Sequence, residues 1–340
     1  MGIFMTVLKG IGITIVVLVG LGLSYQYIAT KLDQQKYPAV GKMVDIGGYK
    51  LHMIDSGKNY KGPVIVMDGG AGCNALDWAL VQPEIAKFAR VITYDRAGYG
   101  WSDASPLERT SENIVEELRT MLKNAGIQGP YILVGHSFGG FNMQLFAAKY
   151  PGEVAGLILV DSSSEDAFEK YQKDFVPNTS SMWTYLALTY IGISRLMQYL
   201  SSVKAMNDLY LAKYPLCIKN ILKAQRLSTK FVVANVYEGL SLEKNCQQLQ
   251  QVGKSFGDMP LTVIRAGKPM IEKPITGVIS QELMDKINKV WLEIQADLLK
   301  KSSRGKQLIA ENSGHLIPYD QPEIIVEAVQ GIYDELNQEK

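Results

Sequence analysis

Cysteine and histidine are both scarce in this 340-residue chain, and each scarcity excludes a class of function. The three cysteines, Cys73, Cys217 and Cys246, are odd in number, scattered, and contain no C-x-x-C pair, so they form no disulfide framework. The three histidines, His52, His136 and His315, lie far apart and lack metal-ligand spacing, so no zinc site is expected. Neither sign of charge is in excess. A formal net charge of +1 argues against nucleic acid or a strongly acidic partner. What is abundant is apolar surface: 47% of residues are hydrophobic, enough for a substantial core. One large α/β domain with an inserted subdomain fits the length as well as two domains would.

Acidic residues are also missing from Gly2 to Thr30, where Lys9 is the only charge. Gly10 to Ile28 is mainly apolar and about long enough to cross a bilayer, with Tyr25 and Tyr27 where an interfacial aromatic belt would lie. No A-x-A-like site follows, so an uncleaved single-pass membrane anchor over residues 1–30 is expected rather than a signal peptide. Lysines on both flanks leave the side of the membrane open. A polar linker is expected over 31–41.

From there, short apolar runs alternate with helical patterns. Val44–Gly47 and Tyr49–Asp55 read as a hairpin turning at Gly47-Gly48. Val64–Met67, Val91–Tyr94, Tyr131–Val134, Gly156–Val160, Leu261–Ile264 and Gln307–Ala310 read as further strands. Trp78–Phe88 has helical spacing, Thr110 is placed to cap a helix, and Asp320 with Glu323 forms a capping-box pattern before the last one. Alternation of this kind implies a mostly parallel sheet covered on both faces, with function at the C-terminal ends of its strands. The expected division is 42–161 and 259–340 for the two parts of the core. Residues 162–258 read as an inserted helical lid, one stretch of which places Ile191, Ile193, Leu196, Met197, Leu200 and Val203 mostly on one face.

One stretch organises the chain. Tyr131-Ile132-Leu133-Val134 is a buried strand that turns through Gly135-His136-Ser137-Phe138-Gly139 into a helix. A strand, G-x-S-x-G and a helix make the context of a nucleophile elbow. The turn lifts the serine hydroxyl above the sheet, and small residues on either side let strand and helix approach. A serine hydroxyl needs a base within hydrogen-bond reach, and imidazole has a suitable pKa.

On these features the chain resembles the α/β-hydrolase superfamily, and within it small bacterial hydrolases with a helical cap. The resemblance covers roughly Val44 to Tyr333. It is carried by Asp68-Gly69-Gly70-Ala71-Gly72 after the third strand, Tyr94-Asp95-Arg96-Ala97-Gly98-Tyr99-Gly100-Trp101-Ser102 after the fourth, the elbow, and Ser313-Gly314-His315 after the last. It implies an eight-stranded sheet with helices on both faces, Ser137 as nucleophile and His315 as base. The family most often places the acid after the seventh strand, where this chain has Pro269, so Asp161 at the end of the sixth strand is the expected acid and Glu272 the reserve. The oxyanion hole is expected from the N–H groups of Phe138 and Gly70, with Ala71 as the alternative to Gly70. Asp68 stands where the family usually has His. Asp95 and Arg96 are expected to be scaffold.

The function so implied is hydrolysis of small-molecule carboxylic esters, lipid-like if the anchor and apolar lid bear on the substrate, through an acyl-enzyme and without a cofactor. A cofactor-free lyase or haloperoxidase-like reaction at the same site is the alternative, as is a non-catalytic binding protein with the same fold.

Overall fold

The computed structural model describes residues 2–172, 179–200, 208, 210–253, 255–272 and 280–338. Its centre is an eight-stranded sheet in the order β1-β2-β4-β3-β5-β6-β7-β8. The strands are β1 (Lys42–Asp45), β2 (Lys50–Ser56), β3 (Val64–Asp68), β4 (Val91–Tyr94), β5 (Tyr131–His136), β6 (Val154–Val160), β7 (Leu261–Ala266) and β8 (Gly305–Ala310). From β4 to β8 all neighbours are parallel, while β2 runs antiparallel to both β1 and β4. The chain is an α/β-hydrolase fold, as expected. The hairpin turn works because Gly47 and Gly48 adopt φ of 110° and 100°, and their N–H groups donate to Asp45 Oδ1.

Apolar residues alternate across the central strands and feed two cores. Ile132, Val134, Ile158 and Val160 face one layer; Tyr131, Leu133, Leu157 and Leu159 face the other. The helices around the sheet are α2 (Gln82–Ile85), α3 (Ser111–Asn124), α4 (Phe138–Lys149), α10 (Gln281–Leu299), the single turn α11 (Ile317–Asp320) and α12 (Glu323–Gln338). Thr110 Oγ1 does accept from the Asn113 N–H at the start of α3.

Two local expectations are corrected. Trp78–Phe88 is no continuous helix: a 3₁₀ turn at Ala75–Trp78 is followed by the four-residue α2, with Pro83 within its first turn. The last helix does not start at Asp320. Asp320 ends α11, and α12 starts at Glu323 directly after Pro322, which has no N–H to give a preceding cap.

The long apolar helix α1 covers Gly2–Lys36, so the first part of the expected linker is helical; Lys31-Leu32-Asp33-Gln34-Gln35-Lys36 is polar but contains good helix formers. Between β6 and β7 come α5 (Thr179–Tyr190), α6 (Ile193–Met197), α7 (Leu216–Arg226), α8 (Thr229–Leu240) and α9 (Leu242–Gln251). Val203 lies outside the described residues. The chain forms two compact units, Met1–Ala39 with Pro177–Val236, and Val40–Val176 with Tyr237–Lys340. The end of α8 and all of α9 therefore belong with the sheet: Asn245 accepts from the Ser111 N–H at the start of α3, and Cys246 and Leu249 join its core.

Candidate active site

The order β4-β3-β5 marks the point where the winding of the parallel sheet reverses, and the loops after β3 and β5 meet there. The loop after β5 is the elbow. Ser137 has φ 54° and ψ −118°, a strained conformation for a residue with a side chain. Its N–H donates to the Val160 carbonyl of β6 (3.0 Å), and α4 begins at the next residue. Glycine is required beside it: a side chain on Gly139 would collide with the Asp68 carbonyl, and one on Gly135 with the Cα of Gly140.

The loop after β8 brings His315 back to this point from the other end of the chain. His315 Nε2 lies 3.0 Å from Ser137 Oγ, and Nδ1 lies 2.7 Å from Asp161 Oδ2. A carboxylate only accepts, so Nδ1 carries the hydrogen and the Nε2 lone pair faces the Ser137 hydroxyl. Asp161 is fully buried and sits at φ 41° just past β6. Its Oδ1 accepts from the Ala266 N–H at the end of β7 (3.0 Å), and Oδ2 also accepts from Trp291 Nε1 (2.9 Å). Glu272, the reserve acid, is exposed. Geometry thus brings Ser137, His315 and Asp161 into one hydrogen-bonded line.

Gly70 lies against the elbow: a Cβ there would stand 3.2 Å from Ser137 Cβ and 3.0 Å from His136 Nδ1. Phe138 opens α4, so its N–H is at the positive end of that helix. Asp68, in place of the family's usual His, ties the two loops together. Its Oδ2 accepts from Asn142 Nδ2 on α4 (2.9 Å), and its Oδ1 from Arg96 Nη1 (2.7 Å).

Arg96 is the residue whose part the sequence understated. It is buried, and Nη1 and Nη2 donate to the carbonyls of Gly69 (2.7 Å) and Gly70 (2.9 Å). Nε and Nη2 hold the buried Glu238 carboxylate, which also accepts from Tyr99 Oη (2.7 Å). Each trans peptide points its N–H opposite to its C=O, so pinning the Gly69 and Gly70 carbonyls aims the Gly70 and Ala71 N–H groups away from the guanidinium. Asp95 holds its own turn, accepting from the Ala75 and Trp101 N–H groups. Burial raises its carboxyl, yet His52 and those N–H groups bring it below the usual range.

Glu238 and Trp291 were not found from the sequence. Glu238 falls in the stretch expected to form a lid, although a lone carboxylate in the apolar run Phe231–Leu240 needs a buried cation. Trp291 follows Ile287 by one helical turn, so it shares the sheet-facing stripe, and its buried N–H requires an acceptor.

His136 is a structural histidine. Its Nε2 donates to the His315 carbonyl (2.8 Å), fixing the loop that carries His315. Burial first, and then the nearby His315, hold its imidazole down to about 3. An unfolded histidine titrates near 6.5. Below that pH the unfolded chain takes up a proton that the folded chain refuses, so stability present above 6.5 is lost as pH falls. The expected loss is about 1.4 kcal/mol per pH unit, or about 2 kcal/mol between pH 6.5 and 5. Urea unfolding in detergent at those two values checks it. His136→Gln should lack this part of the slope, and an unchanged slope would refute the assignment.

This chain belongs to the α/β-hydrolase fold family, whose pattern matches residues 62–322. It is 25% identical over 278 residues to the protein YqjL of Bacillus subtilis strain 168, covering 81% of this chain and 85% of that one. Among solved structures it resembles the Cif epoxide hydrolase of Acinetobacter nosocomialis, with a TM-score of 0.64, 17% identity, and 91% and 96% of the two chains covered. It also resembles the enol-lactonase of Burkholderia xenovorans LB400, with a TM-score of 0.57, 15% identity, and 86% and 99% covered. At these identities the structural likeness concerns the fold.

Proposed function

We propose that this protein is a membrane-anchored serine hydrolase that cleaves carboxylic esters through an acyl-enzyme. One observation carries the reading: the hydrogen-bonded line from Asp161 through His315 to Ser137 Oγ. Ser137 attacks the ester carbonyl while His315 Nε2 takes its proton. Asp161 keeps the imidazole in the required tautomer and stabilises the imidazolium that forms. The N–H groups of Phe138 and Gly70 hold the oxyanion. His315 then protonates the departing alcohol, and a water activated by the same imidazole attacks the acyl-serine. The acyl–Oγ bond breaks, the carboxylic acid is released and Ser137 takes its proton back from His315, so the cycle needs no cofactor.

α1 supplies the anchor, since it is long and apolar enough to cross a bilayer. A membrane-bound hydrolase meets its most concentrated esters in lipid, so the proposed substrates are lipid-like.

The test is labelling of the detergent-solubilised full chain with a fluorophosphonate, followed by peptide mapping, beside turnover of p-nitrophenyl esters of increasing acyl length. Modification of Ser137 together with ester turnover is the expected result. Folded protein in which Ser137 stays unmodified would defeat the reading. A strict preference for short soluble esters would remove its lipid part alone.

A further inference from the structure

The unit formed by α1 and the helices of residues 177–236 contains a hairpin whose position along α1 has a consequence for the membrane. Between Lys9 and Lys31 every residue of α1 is uncharged, which matches the about 20 residues a hydrocarbon core requires. The α5–α6 turn packs onto α1 inside that stretch. A side chain on Gly22 would run into the Ile191 carbonyl and Cβ, and one on Gly192 into the Tyr25 ring. Gly22 lies nine residues before Lys31, in the C-terminal part of that stretch.

Polar contacts mark the level where this stretch ends. Arg195 Nη1 pairs with Asp33 (2.6 Å), and its Nε reaches Gln26 Oε1. Gln26 Nε2 donates to the Leu227 carbonyl (2.8 Å) at the α7–α8 junction, which puts the flanking Arg226 and Lys230 near the depth where lipid phosphates lie. Gly22 is one helical turn deeper than Gln26, about 6 Å.

The hairpin has the chemistry of that depth. Residues 179–194 include no charge. Both threonine hydroxyls between Thr184 and Ser194 are satisfied within the hairpin: Thr184 donates to the Ser180 carbonyl, and Thr189 to the Tyr185 carbonyl, 2.9 Å from the Ser194 hydroxyl. The one charge that follows, Arg195, is buried and paired. Around the turn the exposed large hydrophobic side chains include Trp183, Tyr185, Tyr190, Ile193, Leu196 and Met197, beside exposed Ser181 and Thr184, an amphipathic set suited to a bilayer interface.

We propose that the α5–α6 hairpin is a second membrane contact, its Tyr190–Ile193 turn lying at the headgroup–acyl boundary of the bilayer that α1 crosses. This rests on the reading of α1 as the anchor. The hairpin and α1 then hold their unit by two points, which limits rotation about the α1 axis in a way that a lone helix does not.

The experiment uses the full chain in phosphatidylcholine vesicles with or without bromine on the acyl chains, which quenches nearby tryptophan. Trp183→Phe provides the background. Into it are placed Leu18→Trp, as a probe of α1, and Ile193→Trp, as a probe of the turn. Both added tryptophans should lose intensity in brominated vesicles, Leu18→Trp most with bromine deep in the chain and Ile193→Trp most with bromine close to the headgroup. Quenching of Leu18→Trp alone would overturn the hairpin contact and leave the anchor standing. Quenching of neither would overturn the anchor and the hairpin contact with it. An unshifted melting temperature of the Ile193→Trp variant in detergent shows that its fold is intact.

Discussion

Ser137→Ala is expected to lower kcat for ester hydrolysis on the order of 10⁶-fold, and Asp161→Asn about 10⁴-fold, the sizes of such losses in serine proteases with this triad. The two differ for a physical reason. Alanine removes the atom that forms the acyl bond. Asparagine leaves the nucleophile but presents an amide to His315 Nδ1, which favours the wrong tautomer and leaves the imidazolium without its counter-charge. Neither change should unfold the protein. Alanine retains the Cβ that already tolerates φ 54°, and asparagine accepts the positive φ of Asp161 better than most residues. Because the residues act as one unit, the double variant should be no slower than Ser137→Ala alone within experimental error. Steady-state kinetics on one p-nitrophenyl ester, with melting temperatures alongside, checks this. If Ser137→Ala retained wild-type turnover, the nucleophile assignment would be lost. If Asp161→Asn retained it, the acid would have to be sought elsewhere.

The second large effect is expected at Arg96. Arg96→Met leaves the carboxylates of Asp68 and Glu238 buried without their cation, at an expected cost of about 3–5 kcal/mol of stability. It also releases the Gly69 and Gly70 carbonyls, so the loop N–H is no longer held ready for the oxyanion. The expected loss in kcat is about 10²–10³-fold, that of one oxyanion donor, with little change in KM. These two consequences separate in a triple variant, Arg96→Met with Asp68→Asn and Glu238→Gln. It has no unpaired charge and should recover much of the stability while kcat stays low. Arg96→Lys should also fail, because a point charge cannot span two carbonyls and two carboxylates as a planar fork does. Wild-type kcat in the triple variant would show that Arg96 serves the scaffold alone.

The strands were readable because their information is local. Four apolar residues before a glycine turn specify a buried strand wherever they fall, and the elbow needs ten consecutive residues and no others. Local signals failed where neighbours competed. Pro322 took the helix start from Asp320, and the stretch from Trp78 to Phe88 broke into turns despite its spacing.

The amino-acid sequence by itself determined the sheet, the elbow, and which serine and histidine the fold would bring to one end of it. Only the tertiary structure decided that Asp161 rather than Glu272 reaches His315, since that depends on how the ends of β6 and β7 sit against a loop 154 residues further on. The same holds for Arg96, whose partners Asp68 and Glu238 lie 28 and 142 residues away. A buried charge is settled by whichever opposite charge the packing brings within reach, and no window of sequence contains both.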